Sequence, residues 1–413
     1  SLCVDTVANH IVTITPRRIE NFFNRCIQQL VKQGVFPKKI HAACDATLYE
    51  TTSKFKGCGS VTHKRKVKAR GYRKNGELRE VSVTLYGWKL WAIYEIKTGI
   101  PLAIKIDTIE KPDNLHILAV LEQAKENVAE SSPDDVGIDS LVIDRGFLDG
   151  KVLYEIDDQG IEFVIPLKRN MEAAKDAREL ALCGDSTPVT REVKVTHGYG
   201  KKKYTEKVAT TLVGVDDLLT CDWFNPEGSK ANTTKKDYEP VPLNAVVVKK
   251  WDNKTPPVEK QVVFVTNMDV RDPFIAFDRY DERSLMENNL FREVKQNWHL
   301  EHPPKKSKEG VYIQTYTTMA MKALTTAFLT WQEEQLQLEA LGKKTTWQMY
   351  RRKLKVLNRN KLIVFTGSHF GIFPSHEVFM LANVPVRDTE KELNINRDQV
   401  YAKYTEGLLT KKA

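Results

Sequence analysis

The chain has 413 residues, 41% hydrophobic and 28% charged, with a formal net charge of +9. That length suits one large or two to three ordinary domains, and the composition is that of a globular chain without a run of about 18 apolar residues to span a bilayer. Six scattered cysteines (Cys3, Cys26, Cys44, Cys58, Cys183, Cys221) contain no Cys-x-x-Cys pair, and the first residues, SLCVDTVANH, lack the basic head and apolar stretch of a signal peptide, so a reduced, cytoplasmic protein is expected.

In chain order, residues 16 to 33 predict an amphipathic helix. Ile19, Phe22, Phe23, Cys26, Ile27, Leu30 and Val31 recur at helical spacing and Gly34 stops it. IHAACDATLYE (40 to 50) reads as a buried strand carrying Asp45. A basic run follows: ten Lys or Arg between Lys54 and Glu80, against Glu77 and Glu80. Lys64, Arg65, Lys66, Lys68 and Arg70 lie at its centre, and its glycines predict a loop or ribbon, with phosphate contact as the favoured use.

Strands are predicted at 81 to 96 and 100 to 107, then a helix opened by Pro112-Asp113, a strand at LVID (141 to 144), a short helix at 149 to 159 and a strand at 161 to 166. Three strands followed by helix, strand, helix, strand describe an α/β fold: a mixed sheet with helices on its faces. From 167 to 266 the pattern becomes mostly β, with a loop at 225 to 241. Helices return after Asp278 and at 311 to 340, and the tail carries a basic helix (348 to 356). The expected divisions are therefore 1–39, 40–166, 167–266, 267–340 and 341–413.

Three acids stand out. Asp45 sits within one strand, Asp144 ends another, and Glu287 lies on the helix after the β-rich segment. Arg283, Glu287, Leu290 and Val294 share one helix face, so Glu287 needs a cation there, either Arg283 or a metal. Hard oxygen ligands from three separate elements suit magnesium or manganese, and two such ions would clamp an in-line phosphoryl transfer.

With these motifs the sequence resembles the DDE transposases of bacterial insertion sequences, in the ribonuclease-H-like superfamily, and within them the group with a Tyr-x2-Arg-x3-Glu-x6-Lys motif. ACDATLYETT surrounds Asp45, VIDRGF surrounds Asp144, and Tyr280, Arg283 and Glu287 keep the third motif's spacing. The lysine departs from it: Val294 fills the expected slot and Lys295 follows one residue late, with Arg292 as an alternative.

The resemblance implies a ribonuclease-H-like mixed sheet flanked by helices and interrupted by a β insertion subdomain. It implies cut-and-paste transposition in a bacterial cytoplasm near the nucleoid. Asp45, Asp144 and Glu287 would hold two magnesium or manganese ions. Duplex DNA, as inverted-repeat ends and target, would be bound by a dimer or higher oligomer. Tyr280 and Arg283 would hold phosphates, and Trp223 or Trp251 would stack on a flipped base. His299 and His302 lack a third metal ligand, and Gly-Tyr-Gly at 198 to 200 lacks the context of a phosphate loop. A catalytically dead DNA binder and a nuclease that cuts without joining are the alternatives.

Overall fold

In the computed structural model the described residues are 13–68, 78–129, 136–183, 186–197, 204–220, 242–251, 253–283, 290–335, 361–366, 369–374, 377–378 and 402. The chain divides into two compact units, Ser1–Phe328 and Leu329–Ala413.

Helix α1 (Pro16–Lys32) starts with proline in its first turn, where the missing N–H costs nothing. It buries Ile19, Phe23, Ile27, Leu30 and Val31 along one stripe, and Gly34 at φ +69° takes the left-handed turn after it. Strand β1 (Lys39–Thr51) runs through the centre of the sheet. The basic run is a ribbon: β2 (Gly59–Lys68) pairs antiparallel with the first half of β3 (Leu78–Glu95). The second half of β3 pairs with β1 and with β4 (Ile100–Thr108). At the changeover, Gly87 lies so close to β1 that a Cβ there would fall 2.0 Å from the Tyr49 carbonyl oxygen.

Helix α2 (Ile117–Ala129) crosses to β5 (Gly137–Ile143), and α3 (Gly150–Asp158), N-capped by Asp149, crosses to β6 (Glu162–Pro166). Both β5 and β6 run parallel to β1. The order β4-β3-β1-β5-β6, three antiparallel strands followed by two parallel ones, is the ribonuclease-H-like arrangement. Buried Asn127 ties α2 to this core, donating to the Leu102 carbonyl and the Asn24 side chain.

The 167–266 stretch opens with a helix that the reading of this segment as mostly β did not include, α4 (Glu172–Cys183). Its Ala173, Ala174, Ala177 and Ala181 are buried. Strands β7 (Val189–His197), β8 (Tyr204–Leu218), β9 (Leu243–Lys250) and β10 (Val262–Thr266) follow. They form no separate sheet. Strand β10 pairs with β6, and β9, β8 and β7 extend outward, giving ten strands in one sheet.

Helix α5 (Pro273–Glu282) covers this extension, N-capped by Asp272 and therefore starting five residues before the expected Asp278. Phe274 and Phe277 pack with Phe264, Leu212, Val246 and Val248. Helices α6 (Arg292–Asn297) and α7 (Lys308–Gln335) complete the first unit, and α7 runs on into the second. Tyr312 of α7 donates to the Ile106 carbonyl and its Tyr316 to the Ile104 carbonyl, so this helix covers edge strand β4. In the second unit, β11 (Lys361–Thr366) and β12 (His369–Pro374) form a hairpin. Among the described residues no helix is long and apolar enough to cross a membrane.

One buried ion pair fixes α6. Lys322 Nζ of α7 donates to Glu293 at 2.8 Å, and the Trp298 indole donates to the other Glu293 oxygen at 3.3 Å. Their side chains are 8% (Lys322) and 13% (Glu293) exposed, so a lost partner leaves a poorly solvated charge. Lys322→Met should therefore cost about 3 kcal/mol in a denaturant melt, and Lys322→Met with Glu293→Leu should recover most of it. Equal losses in the single and double variants would show that the pair does not anchor α6.

Candidate active site

The parallel register of β1 and β5 pairs Cys44 with Ile143, so the next residues, Asp45 and Asp144, come level on neighbouring strands. Asp144 precedes a short 3-10 turn (Arg145–Phe147) without capping it through its side chain. The ordinary structural use of an aspartate after a strand is therefore not its use here. Gly146 in that turn lets the Asp113 loop come close, since a Cβ there would meet Asp113 Oδ2 at 2.7 Å. Lys89 holds Asp113 from beneath at 2.8 Å.

Asp45 and Asp144 share one cation. Arg283 Nη1 donates to Asp45 Oδ2 at 3.0 Å, and its Nη2 stands 3.9 Å from Asp144 Oδ1. The other Asp45 oxygen accepts the Ala46 backbone N–H at 2.7 Å. Burial works against the charge on Arg283, but Tyr280, Asp144 and Asp45 outweigh it and raise the guanidinium pKa. Burial pushes the Tyr280 hydroxyl up against the opposing pull of Arg283, whose guanidinium it accepts a hydrogen bond from.

Helix α5 delivers this arginine because it is pinned a turn earlier. Arg279 bonds Glu162 at 3.2 Å and donates to His41 Nδ1 at 3.1 Å. His41, given no role from sequence, is thus a strut between α5 and β1, held also by Ser140 at 2.9 Å. Its pKa is lowered, first by burial and then by Arg279.

A cavity of about 410 Å³ opens over the carboxylates, lined by Asp45, Thr47, Asp144, Arg283, Phe291, Arg292 and Lys295. Lys295 donates to the Leu48 carbonyl and pairs with Glu301 at 3.3 Å. Leu290 and Phe291 are π-helical just before α6. Val294, in the expected slot, is fully buried, while Lys295 reaches the cavity.

A second cavity, of about 510 Å³, adjoins the first through Arg283. Its lining combines Trp251, Phe264, Phe277 and Tyr280 with Arg145, Arg169 and Lys260. Trp251 is partly exposed and its ring lies 4.8 Å from that of Phe277. Arg145, Arg169 and Lys260 were not singled out from sequence. Their signal is weak, because the three cations are far apart in the chain and the adjacent strands β5, β6 and β10 bring them together.

Glu287, Trp223 and Arg70 lie outside the described residues, as do the side chains of Arg65, Lys66 and Lys68. Among the described residues no third metal-type side chain joins Asp45 and Asp144. The ion pair weighed for Arg283 with Glu287 likewise lies outside the described residues; among those described, Arg283 donates to Asp45.

The transposase DDE domain model matches residues 36–322. The chain belongs to the DDE transposase family. The match runs from the start of β1 into α7 and includes both carboxylate strands and the whole β extension of this transposase domain. No curated protein is significantly similar to the chain. Among solved structures it is similar to a piggyBac transposase synaptic complex with hairpin DNA, at 10% identity and a TM-score of 0.33, covering 86% of this chain and 64% of that one. The transposase thus spans somewhat under two thirds of that relative's length.

Proposed function

We propose that this protein is a cut-and-paste DNA transposase: it cleaves at the ends of a mobile element and joins the freed 3′ ends to target DNA. The observation that carries the reading is the pair Asp45 and Asp144, level on adjacent strands, facing one cavity and both reached by the Arg283 guanidinium.

Divalent metal is the family's usual requirement, and the donor set fits it. Two hard carboxylates converge where positive charge is already held, with the Arg283 guanidinium as stand-in. Asp45 and Asp144 would hold the metal, with Glu287 as the third ligand. When bound, magnesium or manganese supplies Lewis-acid activation of the attacking hydroxyl and stabilises the departing 3′ oxygen.

The chain's own residues do the positioning. Arg283, released from the carboxylates, turns its planar fork onto a phosphate, and Arg292 and Lys295 line the same cavity for its neighbours. Water attacks the scissile phosphorus and a 3′ oxygen leaves as a hydroxyl. That hydroxyl then attacks a second phosphorus, displacing another 3′ oxygen, so no covalent protein intermediate is needed.

The aromatic cavity beside the carboxylates suits a base pulled from the stack, with Trp251 as its π surface and Arg145, Arg169 and Lys260 near the backbone. Trp251→Ala should lower hairpin formation at a cleaved end about tenfold, with less effect on the first nick. Unchanged hairpin yield would remove Trp251 from that role.

The reading as a whole is tested by incubating the full chain with magnesium, a duplex carrying the element's inverted repeats, and a target plasmid. Joined products are expected. Cleavage without joining would favour the nuclease alternative, and DNA binding without cleavage the inactive binder.

A further inference from the structure

The strands and helices that leave the catalytic cavity converge again at the root of the β2–β3 ribbon. From Asp45, β1 continues to Thr51 and enters the loop 52–58. From Lys295, α6 ends and the chain reaches residues 305–308. These segments dock on each other. The Lys56 N–H donates to the Lys306 carbonyl at 3.1 Å, and Lys56 bridges Ser307 in parallel. Gly57, at φ +81°, comes so close that a Cβ there would lie 3.4 Å from Lys308 Cβ. Phe55 anchors the first loop by packing edge-on against buried Trp88, ring centroids 6.0 Å apart.

The result is a knuckle of lysines. Lys54, Lys56, Lys306 and Lys308 are exposed and Lys305 is partly buried. No acid occurs from Thr51 to Cys58 or from His302 to Lys308. Among the described residues Lys54, Lys56, Lys306 and Lys308 are in no salt bridge, though Lys308 Nζ lies 5.5 Å from the Tyr312 ring centre and beside Glu309. The long helix α7 begins at this point, its first turn capped by Ser307, and adds the positive end of its dipole.

We propose that this knuckle is a phosphate-tracking site for duplex DNA flanking the catalytic cavity. The inference rests on the transposase reading and adds a second, sequence-independent contact to it. Beyond Asp45, β1 runs six residues to Thr51, on the order of 20 Å at strand rise. At about 3.4 Å per base pair, that places the contact roughly six base pairs from the reacting phosphate. The partner is recognised by its regular array of phosphates, to which exposed lysines add without selecting a base.

The test uses the full chain and random-sequence duplexes of about 8 and about 20 base pairs, with affinity measured across salt concentration. The variant carries Lys54→Gln, Lys56→Gln, Lys306→Gln and Lys308→Gln. It should bind the long duplex about 10- to 100-fold more weakly, with a log–log salt slope shallower by about 3, and bind the short duplex as the unaltered protein does. The same four positions changed to Arg should keep the long-duplex affinity.

Should the fourfold Gln variant melt early, Lys54→Gln with Lys306→Gln alone should still reduce the slope by about 2. An unaltered protein that binds and cleaves DNA, with Gln variants of unchanged slope on the long duplex, overturns the knuckle and leaves the transposase reading standing. An unaltered protein that binds neither duplex overturns both.

Discussion

Asp45→Asn should reduce metal-dependent DNA cleavage by about a thousandfold, while affinity for duplex DNA stays within about threefold. Asparagine keeps the shape of the side chain and can still accept the Ala46 N–H that Asp45 accepts now. What it loses is charge. The position then offers a divalent cation a neutral amide oxygen, and the Arg283 contact weakens. Asp144→Asn should act alike, because its carboxylate caps no turn and faces the same cavity. Glu287→Gln is the third member of the set. Removing a negative charge from the cavity does not repel a polyanion, so binding survives. Wild-type cleavage by any one of the three variants would remove that residue from the catalytic set.

Arg283→Met tests the other side of the same pair. Without the guanidinium, Asp45 loses the hydrogen bond from Nη1 and Asp144 loses the positive charge 3.9 Å away. The metal-free protein should lose about 2 kcal/mol, discounted from a fully buried pair because the Arg283 and Asp45 side chains are 20% and 16% exposed. Magnesium should restore more stability to this variant than to the unaltered protein, since it no longer competes with the arginine for the carboxylates. Cleavage should nevertheless fall about a hundredfold, because the phosphate fork is gone. Arg283→Lys should keep most of the stability and little of the activity. Equal stabilisation of both proteins by magnesium would show that Arg283 and the metal do not share a site.

Local pattern made much of the core legible. The stripe from Ile19 to Val31 marked α1, and the apolar runs around Asp45 and Asp144 marked two strands that lie side by side. What could not be read was mostly non-local. Sequence spacing offered Arg283 to Glu287 of its own motif, whereas its contact with Asp45 is 238 residues away and is created by strand register. The glycines of the basic run left a loop or a ribbon open, and the register of β2 with β3 is what the structure adds. Helix α4 was nearer to hand: its alanines at 173, 174, 177 and 181 carry helical spacing, but they sit in a stretch dominated by alternating strands. The late lysine was legible as a departure, whereas the π-helical backbone at Leu290 and Phe291 is a conformation that no residue type specifies.

The union of β6 with β10 has a bearing on how the protein can be dissected. Because the 167–266 segment continues the core sheet, excising it would strip β6 of its neighbour and leave a row of open amides and carbonyls beside apolar Phe163 and Ile165. Such a truncated core would self-associate through that edge. The segment is therefore no detachable module: core and extension should melt in one cooperative transition, and a graft of the extension onto another scaffold would need to bring β6 with it.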